Sequence, residues 1–481
     1  MIDSTPQSTI QIYNTMSRSK EPFTPIEPGI VRMYVCGVTP YDSAHIGHGM
    51  SAITFDVIRR WLEYRGYVVR HAQNFTDVDD KIIARAEREG IDPLDLVDRL
   101  IAEWLEENDS LGVQRATVYP RVTQEIGPII TTVQGLIDRG YAYEASGEVY
   151  YRVRAFADYG KLSRRTIDDL LSGARIDIDE RKEDPLDFAL WKASKPGEPS
   201  WESPWGRGRP GWHIECSAMA ATYLDGELDI HGGGADLIFP HHENEVAQSE
   251  AYLGHEPFAR YWVHNGMLQL RGEKMSKSLG NVVSIKRILD RGLGAAFRLL
   301  VLQTHYRSPL TYTEEGLVGA ERGLERLRAA ASAAVMPPPT GADTNQRTES
   351  ELRNLAMSTR FRFESAMDDD FDTPKAVAAL FDLGRAINRE AAAGVDVKVV
   401  ADAAFTLSTL SAILGLSLDP PSGSADGSAE PFIDLLVRVR EDLRAAKHWQ
   451  LADMIRDGLK ERGIALEDGP TGATWKSIAT A

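Results

Sequence analysis

The order of apolar segments in the first part of the chain constrains its fold more than any other feature. Residues 30–35 are apolar and β-branched, which predicts a buried strand. Apolar residues recur at helical spacing over 53–62, and similar strand and helix patterns follow over 68–71 and 77–89. Strands that alternate with helices pair in parallel through right-handed crossovers. We therefore predict an α/β fold whose main domain is built on a Rossmann-like parallel sheet.

Length and composition indicate an ordinary globular protein with several domains. The chain has 481 residues, and a usual domain of roughly 150 residues suggests about three of them. The net charge is −17, which argues against a non-specific nucleic-acid binder but leaves room for a local basic patch. The start of the chain is polar and contains prolines, and no apolar run is long enough to span a bilayer. We expect a cytoplasmic protein that does not bind membranes.

Changes in composition divide the chain into units. A long mixed segment interrupts the α/β pattern, a proline-rich linker begins at Met336, and a second linker covers residues 419–430. The predicted units are 1–104 and 205–335, the two halves of the α/β domain; 105–204, a connective insertion; 336–418, an α-helical bundle; and 431–481, a small C-terminal domain.

The tetrapeptide His45-Ile46-Gly47-His48 lies at the expected mouth of the first helix. In open parallel sheets, ligands bind beyond the carboxyl ends of the strands, and a helix N-terminus favours phosphate. His45 and His48 can donate hydrogen bonds to phosphate oxygens, and Gly47 lets a flat base approach the backbone. The alternative interpretation is a capped helix with two exposed histidines.

The run Lys274-Met275-Ser276-Lys277-Ser278 is a second cationic feature, and it lies in a polar loop. Two lysines on a loop that ends near a glycine can form a mobile arm. Such an arm can follow the negative charge that builds on a leaving pyrophosphate. The alternative interpretation is an ordinary solvated loop.

The chain has only two cysteines, Cys36 and Cys216. Thiols so far apart in a cytosolic chain are not expected to form a structural disulfide, and a lone Cys is usually a small buried hydrophobe. His241 and Glu245 lie four residues apart, so on a helix their side chains face the same way. Two thiolates, an imidazole and a carboxylate make a tetrahedral zinc set, which makes a metal the better interpretation.

Together these motifs are similar to those of a known family. The two cationic motifs resemble the paired HIGH and KMSKS signatures of class I aminoacyl-tRNA synthetases. The cysteines and their surroundings resemble those of cysteinyl-tRNA synthetases, and this resemblance covers nearly the whole chain. The stretches that carry it include residues 33–37, 76–81, 208–219 and 230–234. A small departure is Pro40, where the family more often has Val.

The resemblance implies an enzyme that uses ATP to ligate L-cysteine to tRNA(Cys) through a cysteinyl-adenylate. It also implies one zinc ion per chain, held by four side chains: Cys36, Cys216, His241 and Glu245. His242 and Glu243 remain alternatives that the sequence leaves open. A soft metal favours the substrate thiolate over the hydroxyl of serine, so no editing domain would be needed.

The resemblance assigns roles to the nucleotide motifs as well. It implies that ATP binds with Mg²⁺, that His45 and His48 hold its phosphates, and that Gly47 faces the adenine. Lys277 would close on the developing charge, with support from Lys274. Because the cysteine carboxylate is already ionised, no general base is expected in the first step, and positioning and charge stabilisation should supply the rate. Further contacts to the cysteine or its adenylate are expected from three residues: Thr76, Trp212 and His231.

The C-terminal region bears on the identity of the partner. In the family it forms a helical bundle and an anticodon-binding domain. Residues 432–459 predict one helix. Basic and aromatic side chains here could track a backbone and stack bases: Arg440, Arg444, Lys447 and Trp449, with Trp475 further on. The alternative is a solvated helix face with core tryptophans. The expected partner is tRNA(Cys), bound by a monomer.

Two other functions fit parts of the sequence. A ligase that joins cysteine to an amino sugar, as in mycothiol synthesis, shares the zinc and nucleotide motifs. It lacks a full C-terminal tail, however, and its loop typically reads KMSKSRGN where this chain has Leu279. A non-catalytic zinc protein that binds RNA would not need His45, His48 and Lys277. The whole sequence is therefore better explained by a tRNA synthetase.

Overall fold

The protein, as seen in a computed structural model, is built around a four-stranded parallel sheet. The structure describes residues 9–169, 180–270, 273–274, 282–333, 346–419, 430–460, 464–469 and 472–477. The strands over these residues are β1 (Gln11–Asn14), β2 (Ser19–Pro22), β3 (Ile30–Val38), β4 (Val68–Phe75), β5 (Ala142–Ala145), β6 (Glu148–Tyr151), β7 (Phe188–Ala193), β8 (Gly208–Pro210), β9 (Leu228–Gly234), β10 (Ala259–Asn265), β11 (Leu268–Leu270), β12 (Glu273–Lys274), β13 (Leu310–Tyr312), β14 (Ile464–Gly469) and β15 (Gly472–Ser477). The α-helices are α1 (Ile46–Tyr64), α2 (Asp80–Glu89), α3 (Pro93–Ser110), α4 (Ile126–Asp138), α5 (Trp212–Tyr223), α6 (Glu243–Leu253), α7 (Ile285–Leu289), α8 (Gly294–Leu302), α9 (Glu314–Ser332), α10 (Gln346–Asp368), α11 (Thr373–Ala392), α12 (Val397–Ile413), α13 (Glu430–Ala445) and α14 (Trp449–Lys460).

The central sheet has the strand order β10-β9-β3-β4, and every neighbouring pair in it is parallel. α1 connects β3 to β4, and α6 connects β9 to β10. Tyr34 of β3 lies beside His231 of β9 and Ala72 of β4. The ends of β3 and β9 therefore reach the same edge of the sheet. This arrangement confirms the predicted Rossmann-like α/β core.

α1 carries the histidine tetrapeptide at its start. A side-chain cap closes its first turn, in which Nδ1 of His45 accepts a hydrogen bond from the backbone N–H of His48 at 3.4 Å. Phe55 and Trp61 lie among the apolar side chains of α1 that are buried in the core. Phe55 packs directly on Gly232 of β9, where a Cβ atom would meet the ring at 2.2 Å. The glycine therefore lets α1 lie close to the sheet.

The insertion between the two halves of the sheet folds around a second sheet. β5, β6, β7 and β8 form this sheet in that order, and every pair in it is antiparallel. Its core contains Tyr151 and Trp191, which are fully buried. The unit boundaries at residues 105 and 204 remain predictions. α3 runs continuously across the first position, and β8 joins the insertion's sheet after the second.

A small sheet and a group of helices follow the second half of the core. β12, β11 and β13 are neighbours in that order. The helices α9 to α12 pack against one another, which confirms the predicted helical bundle. Arg298 of α8 forms a buried ion pair with Asp56 of α1 and donates to the carbonyl oxygen of Leu414 at 2.7 Å. These contacts tie α1 to the end of α12.

Residues 419–481 form a second compact unit. The unit contains α13, α14 and an antiparallel hairpin of β14 and β15. The indole Nε1 of Trp475 donates to a carboxylate oxygen of Asp434 at 2.8 Å, which joins the hairpin to α13. Among the described residues of the whole chain, no helix combines the length and apolar character needed to cross a membrane.

The single helix predicted over residues 432–459 is wrong. The chain forms two helices instead, because Lys447 adopts a left-handed backbone with φ of 62° between α13 and α14. Lys447 is therefore off the helical face that carries Arg440 and Arg444. Arg440 is only 3 % exposed, so it belongs to the interior of this unit and not to the basic surface that the sequence predicts.

Candidate active site

Four side chains meet at the carboxyl ends of β3 and β9. Cys36 lies near the end of β3, and Cys216 lies in α5, the first helix after the insertion. The segment Ile238–His242 after β9, which is kinked by the extended backbone of Phe239, contributes His241, and Glu245 lies in the first turn of α6. The parallel topology thus brings together the four predicted zinc ligands, of which the first and last are 209 residues apart in sequence. We call these four side chains the metal cluster.

The donor atoms of the metal cluster all lie within 4.8 Å of one another. The two cysteine sulfur atoms are 3.6 Å apart, and Cys36 Sγ is 3.3 Å from Glu245 Oε1. His241 Nε2 is 3.0 Å from the same carboxylate oxygen. Zinc bonds of about 2.0 to 2.3 Å in a tetrahedron place neighbouring ligand atoms roughly 3.3 to 3.8 Å apart. The residues present therefore fit a zinc ion with only small adjustments.

A second group of donors overlaps the metal cluster. Cys36, His231, His242 and Glu245 also have donor atoms within 4.8 Å of one another. His231 Nε2 is 2.8 Å from Glu245 Oε2, which is a hydrogen-bond distance. His242 Nε2 is 3.9 Å from Glu245 Oε1 and 3.3 Å from Cys36 Sγ. Of His241 and His242, only the former belongs to the group of donors that contains both cysteines.

Glu243, the other alternative that the sequence leaves open, holds the insertion in place. Its carboxylate accepts hydrogen bonds from the backbone N–H groups of Gly160 at 3.0 Å and Ser163 at 2.7 Å. The side chain is fully buried, so these partners satisfy oxygens that would otherwise be desolvated without compensation. This arrangement gives Glu243 a structural role away from the metal cluster.

The charges within the metal cluster are strongly coupled. Burial by itself would raise the pKa of Glu245, but His231 and His241 hold that pKa well below its usual value. Burial likewise opposes ionisation of Cys216, yet a hydrogen bond with Cys36 and the nearby His241 lower its pKa to about 6. Burial would lower the pKa of His241, but Glu245 and Cys216 raise it to about 10. Burial and the neighbouring Cys216 hold the pKa of Cys36 well above its usual value.

Polar residues of β4 and the following loop line one side of the metal cluster. Asn74 accepts a hydrogen bond from the N–H of Gly37 at 2.9 Å, and its Oδ1 is 3.7 Å from Cys216 Sγ. Thr76 donates to Glu215 Oε2 at 2.8 Å. Burial raises the pKa of Glu215 well above its usual value. Thr76 therefore lies beside the metal cluster and is oriented by the residue that precedes Cys216.

Aromatic rings also contact the metal cluster and the histidine beside it. Trp212 stacks on His241 with 4.3 Å between ring centroids, and its side chain is 41 % exposed. His231 is fully buried and stacks on Trp262 at 4.5 Å. Of the three residues predicted to contact cysteine, Trp212 and His231 contact the metal cluster directly. Thr76 contacts Glu215 and Asn74, which neighbour Cys216.

Sequence reasoning missed several residues that touch this site. Tyr34 precedes Cys36 by two positions, so strand alternation could have placed both on one face of β3. His213 Nδ1 lies 3.0 Å from His241 Nδ1, and its position next to Trp212 in α5 was the available signal. His264, at the end of β10, contacts His242 at 2.7 Å. Nothing in the local sequence around residue 264 pointed to that contact.

The two histidines of the tetrapeptide lie side by side at the start of α1. Their rings stack with 3.7 Å between centroids. Nδ1 of His48 accepts from the backbone N–H of His45 at 3.3 Å, which completes a reciprocal cap. A neutral imidazole that accepts at Nδ1 carries its proton at Nε2. Each ring therefore has an N–H donor at Nε2, the chemistry that the phosphate prediction requires. Gly47 is in the same first turn.

Residues 274–281, which we call the lysine loop, are only partly described by the structure. Lys274 ends β12, where it pairs with Gln269 of β11. Lys277 lies outside the described residues, as does the whole run from 275 to 281. The role expected of Lys277 therefore remains a prediction.

The backbone of residues 283–285, which follow the lysine loop, is hydrogen-bonded to the start of the histidine tetrapeptide. The N–H of Ile46 donates to the carbonyl oxygen of Val283 at 3.0 Å, and the N–H of Ile285 donates to that of Ala44 at 3.0 Å. These hydrogen bonds form a short antiparallel bridge. Residues 283–285 thus lie beside the histidine tetrapeptide, although more than two hundred residues separate them in the printed sequence.

Comparison with known proteins agrees with this arrangement. Residues 22–322 match the family described as tRNA synthetases class I (C) catalytic domain, and residues 362–419 match the DALR domain. A solved structure of Mycobacterium tuberculosis methionyl-tRNA synthetase with methionyl-adenylate has a similar fold, with a TM-score of 0.62 at 17 % identity. The similarity covers 85 % of this chain and 94 % of that chain. The fold and its catalytic domain are those of a class I tRNA synthetase.

Relatives that match over their whole length narrow the class further. The cysteine--tRNA ligase of Dehalococcoides mccartyi is 53 % identical over 468 residues, which are 97 % of this chain and 99 % of that protein. The cysteine--tRNA ligase of Thermococcus onnurineus is 50 % identical over 474 residues, or 98 % of this chain and 99 % of that protein. This chain belongs to the cysteine--tRNA ligase family.

Proposed function

We propose that this chain ligates L-cysteine to tRNA(Cys) in two steps, with a cysteinyl-adenylate as the intermediate. The observation that carries the proposal is the buried metal cluster in a member of the cysteine--tRNA ligase family. In the first step the cysteine carboxylate attacks the α-phosphate of ATP, and pyrophosphate leaves. In the second step the terminal ribose of the tRNA attacks the acyl carbon, and AMP leaves.

We assign one zinc ion per chain to Cys36, Cys216, His241 and Glu245. The support is their donor chemistry, their mutual distances and the burial of three of them, with Cys36 half-buried. When bound, zinc supplies a soft Lewis acid for which a thiolate is a far better ligand than the hydroxyl of serine. An apolar pocket alone would discriminate only modestly between two side chains of such similar size. The metal cluster therefore explains how the chain can select cysteine.

The surrounding side chains position the rest of the amino acid. Trp212 forms an exposed wall beside His241, where it can cover a bound cysteine. The hydroxyl of Thr76 donates to Glu215, and its lone pairs can accept from the substrate ammonium group. His231 is fixed by Glu245 and by its stack on Trp262. These contacts hold the cysteine carboxylate in place for attack on ATP.

The nucleotide binds at the start of α1 in this proposal. His45 and His48 donate through Nε2 to phosphate oxygens, Gly47 faces the adenine, and Mg²⁺ accompanies ATP. Lys277 closes on the charge that develops on the leaving pyrophosphate, with support from Lys274. The cysteine carboxylate is already ionised, so no side chain acts as a general base in the first step. The rate comes from positioning and from stabilisation of charge.

The C-terminal unit supplies the surface that recognises the tRNA. Trp449 is 56 % exposed at the start of α14, which suits stacking on an unpaired base. Arg444 is half-buried on α13, and Lys447 is exposed beyond it. Arg440 is buried and is not part of this surface. We expect the enzyme to act as a monomer in the cytoplasm.

Pyrophosphate exchange and tRNA charging together test this function. The chain should exchange labelled pyrophosphate into ATP only when L-cysteine is present, and should then charge tRNA(Cys) from total tRNA. L-Serine at the same concentration should support neither reaction. Exchange without charging would point instead to a ligase that uses another acceptor, such as an amino sugar. Serine charging at a comparable rate would refute selection by the metal cluster.

A further inference from the structure

The tip of the hairpin of β1 and β2 is joined to a turn of the insertion by two arginines. A side-chain N–H of Arg18, which lies between β1 and β2, donates to the carbonyl oxygen of Ser163 at 3.2 Å. A side-chain N–H of Arg164 donates in return to the carbonyl oxygen of Met16 at 2.9 Å. Both arginines have a left-handed backbone, with φ of 60° and 61°. Two turns from distant parts of the chain are thus held together by reciprocal hydrogen bonds.

A third arginine connects this surface to the active site. The guanidinium carbon of Arg165 is 4.5 Å from the centroid of the Phe239 ring, which is the geometry of a cation–π contact. Phe239 precedes His241 of the metal cluster by two positions. Arg165 is therefore held against the segment that carries His241 into the metal cluster. We call Arg18, Arg164 and Arg165 the arginine patch.

The positive charge of the arginine patch is exposed and is not paired within the protein. All three side chains are exposed, and among the residues that the structure describes none of them forms an ion pair with a carboxylate. The nearby carboxylate of Asp169 instead accepts hydrogen bonds from the N–H and the hydroxyl of Thr166. By contrast, the exposed Arg207 of the same insertion pairs with Glu202 at 2.8 Å. On a chain with a net charge of −17, unpaired arginines side by side form a surface suited to an anion.

The RNA strand that ends in the reacting ribose is the anion best placed to meet this surface. In the proposed function the terminal ribose of the tRNA must reach the cysteine at the metal cluster, so the nucleotides before it pass close to the segment that holds Phe239 and His241. Each of those nucleotides brings a phosphate, and a guanidinium fork matches a pair of phosphate oxygens. The phosphates of ATP are a poorer match, because the proposed function gives them partners at the start of α1.

We propose that the arginine patch binds the phosphate backbone of the tRNA acceptor arm and directs its 3′ end to the metal cluster. This inference rests on the proposed function and adds to it a docking surface outside the C-terminal unit. The hydrogen bonds between the two turns hold Arg18 and Arg164 before the tRNA arrives, so little side-chain freedom is lost on binding. Contacts to phosphates carry no sequence information, so the arginine patch should bind the acceptor arm whatever its bases.

Binding of an acceptor-stem RNA to the full chain tests the arginine patch directly. The probe is a hairpin RNA that carries the acceptor stem of tRNA(Cys) with its single-stranded 3′ end, and its affinity is measured at several salt concentrations. We expect R164A/R165A to weaken binding by about threefold to thirtyfold and to reduce the slope of log affinity against log salt concentration by about one to two. R164K/R165K keeps both charges and should keep the slope. An unchanged affinity and slope in R164A/R165A, or an equal loss of slope in R164K/R165K, would overturn the inference.

Charging of complete tRNA separates this inference from the proposed function. R164A/R165A and R18A should raise the KM for tRNA(Cys), whereas cysteine-dependent pyrophosphate exchange, which needs no tRNA, should keep its rate. R207A is the matched control, because Arg207 is an exposed arginine of the same insertion whose charge is already paired with Glu202. A rise in KM in R207A as large as that in R164A/R165A would show a general effect of charge and overturn the inference. Failure of the wild type to charge tRNA(Cys) would overturn the proposed function, whereas an unchanged KM in R164A/R165A would overturn this inference alone.

Discussion

The backbone N–H of Ile46 donates to the carbonyl oxygen of Val283 at 3.0 Å, and this hydrogen bond joins the start of α1 to the chain that leaves the lysine loop. Val283 follows the loop residues 275–281 by two positions. The segment that follows residues 275–281 is therefore anchored beside His45.

Lys277→Ala should slow cysteine-dependent pyrophosphate exchange by about a hundredfold or more, because it removes a cation from the developing negative charge. The melting temperature should stay within about a degree of wild type, since a loop lysine contributes little to stability. Lys286→Ala is the matched control. Lys286 is an exposed lysine just beyond the loop that pairs with Asp290 at 2.7 Å. Exchange at the wild-type rate in Lys277→Ala would remove the role assigned to this residue.

Cys216→Ser should lose the zinc ion, because a hydroxyl that stays protonated replaces a thiolate ligand. Metal analysis of the purified protein measures the effect, with about one zinc per chain expected in wild type. Glu243→Gln is the control, since Glu243 bonds to the insertion backbone and should not affect zinc content. Full zinc occupancy in Cys216→Ser would refute the ligand set.

Arg298→Met should lower the free energy of unfolding by about 3 to 5 kcal/mol, because it leaves the buried carboxylate of Asp56 without its buried partner. Urea denaturation measures this change. Arg60→Met is the control: Arg60 also pairs with Asp56 at 2.8 Å, but it is partly exposed and should cost less than about 1 kcal/mol. Adding Asp56→Leu to Arg298→Met should recover part of the loss. Equal effects of the two arginine substitutions would contradict the burial argument.

Glu107→Gln should stabilise the protein at alkaline pH but not at acid pH. Burial and the nearby Glu103 raise the pKa of Glu107 from 4.5 to about 7. An acid whose pKa is higher in the folded state binds more protons when folded, so its contribution to stability falls as pH rises from 4.5 to about 7. We expect a gain of about 1 to 3 kcal/mol at roughly pH 8, measured by urea denaturation.

The exposed Glu106 on the same helix provides the control for this pH dependence. Glu106→Gln should change the free energy of unfolding by less than about 0.5 kcal/mol across the same pH range. A Glu107→Gln variant that is equally stabilised at acid and alkaline pH would show that charge on this carboxylate is not the cause.

Trp449→Ala should weaken tRNA charging without affecting amino-acid activation. Stacking of one base on an aromatic ring is worth about 1 to 3 kcal/mol, so the KM for tRNA(Cys) should rise by roughly fivefold to a hundredfold. Pyrophosphate exchange without tRNA should be unchanged. Trp475→Phe is a useful comparison, because its indole is bonded to Asp434 within the unit and should affect stability first. An unchanged KM in Trp449→Ala would exclude this residue from the tRNA surface.

The catalytic core could be predicted from sequence because its signals are local. Apolar patterning predicts a strand over 30–35 and a helix over 77–89, and the structure has β3 and α2 there. The helix ends as predicted at Gly90, which takes a left-handed conformation with φ of 68°. The four donors of the metal cluster could be chosen because cysteines are rare in this chain and His241 and Glu245 lie four residues apart. Their contact across 209 residues follows from the parallel sheet, not from local sequence.

The features that the sequence does not predict depend on tertiary contacts or on unusual backbone conformations. His241 lies in an irregular segment before α6 and not within the regular helix, yet its Nε2 is 3.0 Å from Glu245 Oε1. No glycine or proline marks the break at Lys447. The periodicity of apolar residues therefore predicts a helix that continues through this position. The hairpin of β14 and β15 has a glycine at the inner end of each strand, Gly469 and Gly472, but its short strands carry few apolar residues.

The composition of the metal cluster has a consequence for biosynthesis. Cys36 leaves the ribosome early, but its last partner, Glu245, is made 209 residues later. At a synthesis rate of about 5 to 20 residues per second, that thiol waits roughly 10 to 40 s before all the ligands exist. At the proposed zinc site, a metal ion could therefore be held by all four side chains only after both halves of the split sheet have been translated and have met. Until then the thiol of Cys36 would lack its partners and would be open to oxidation.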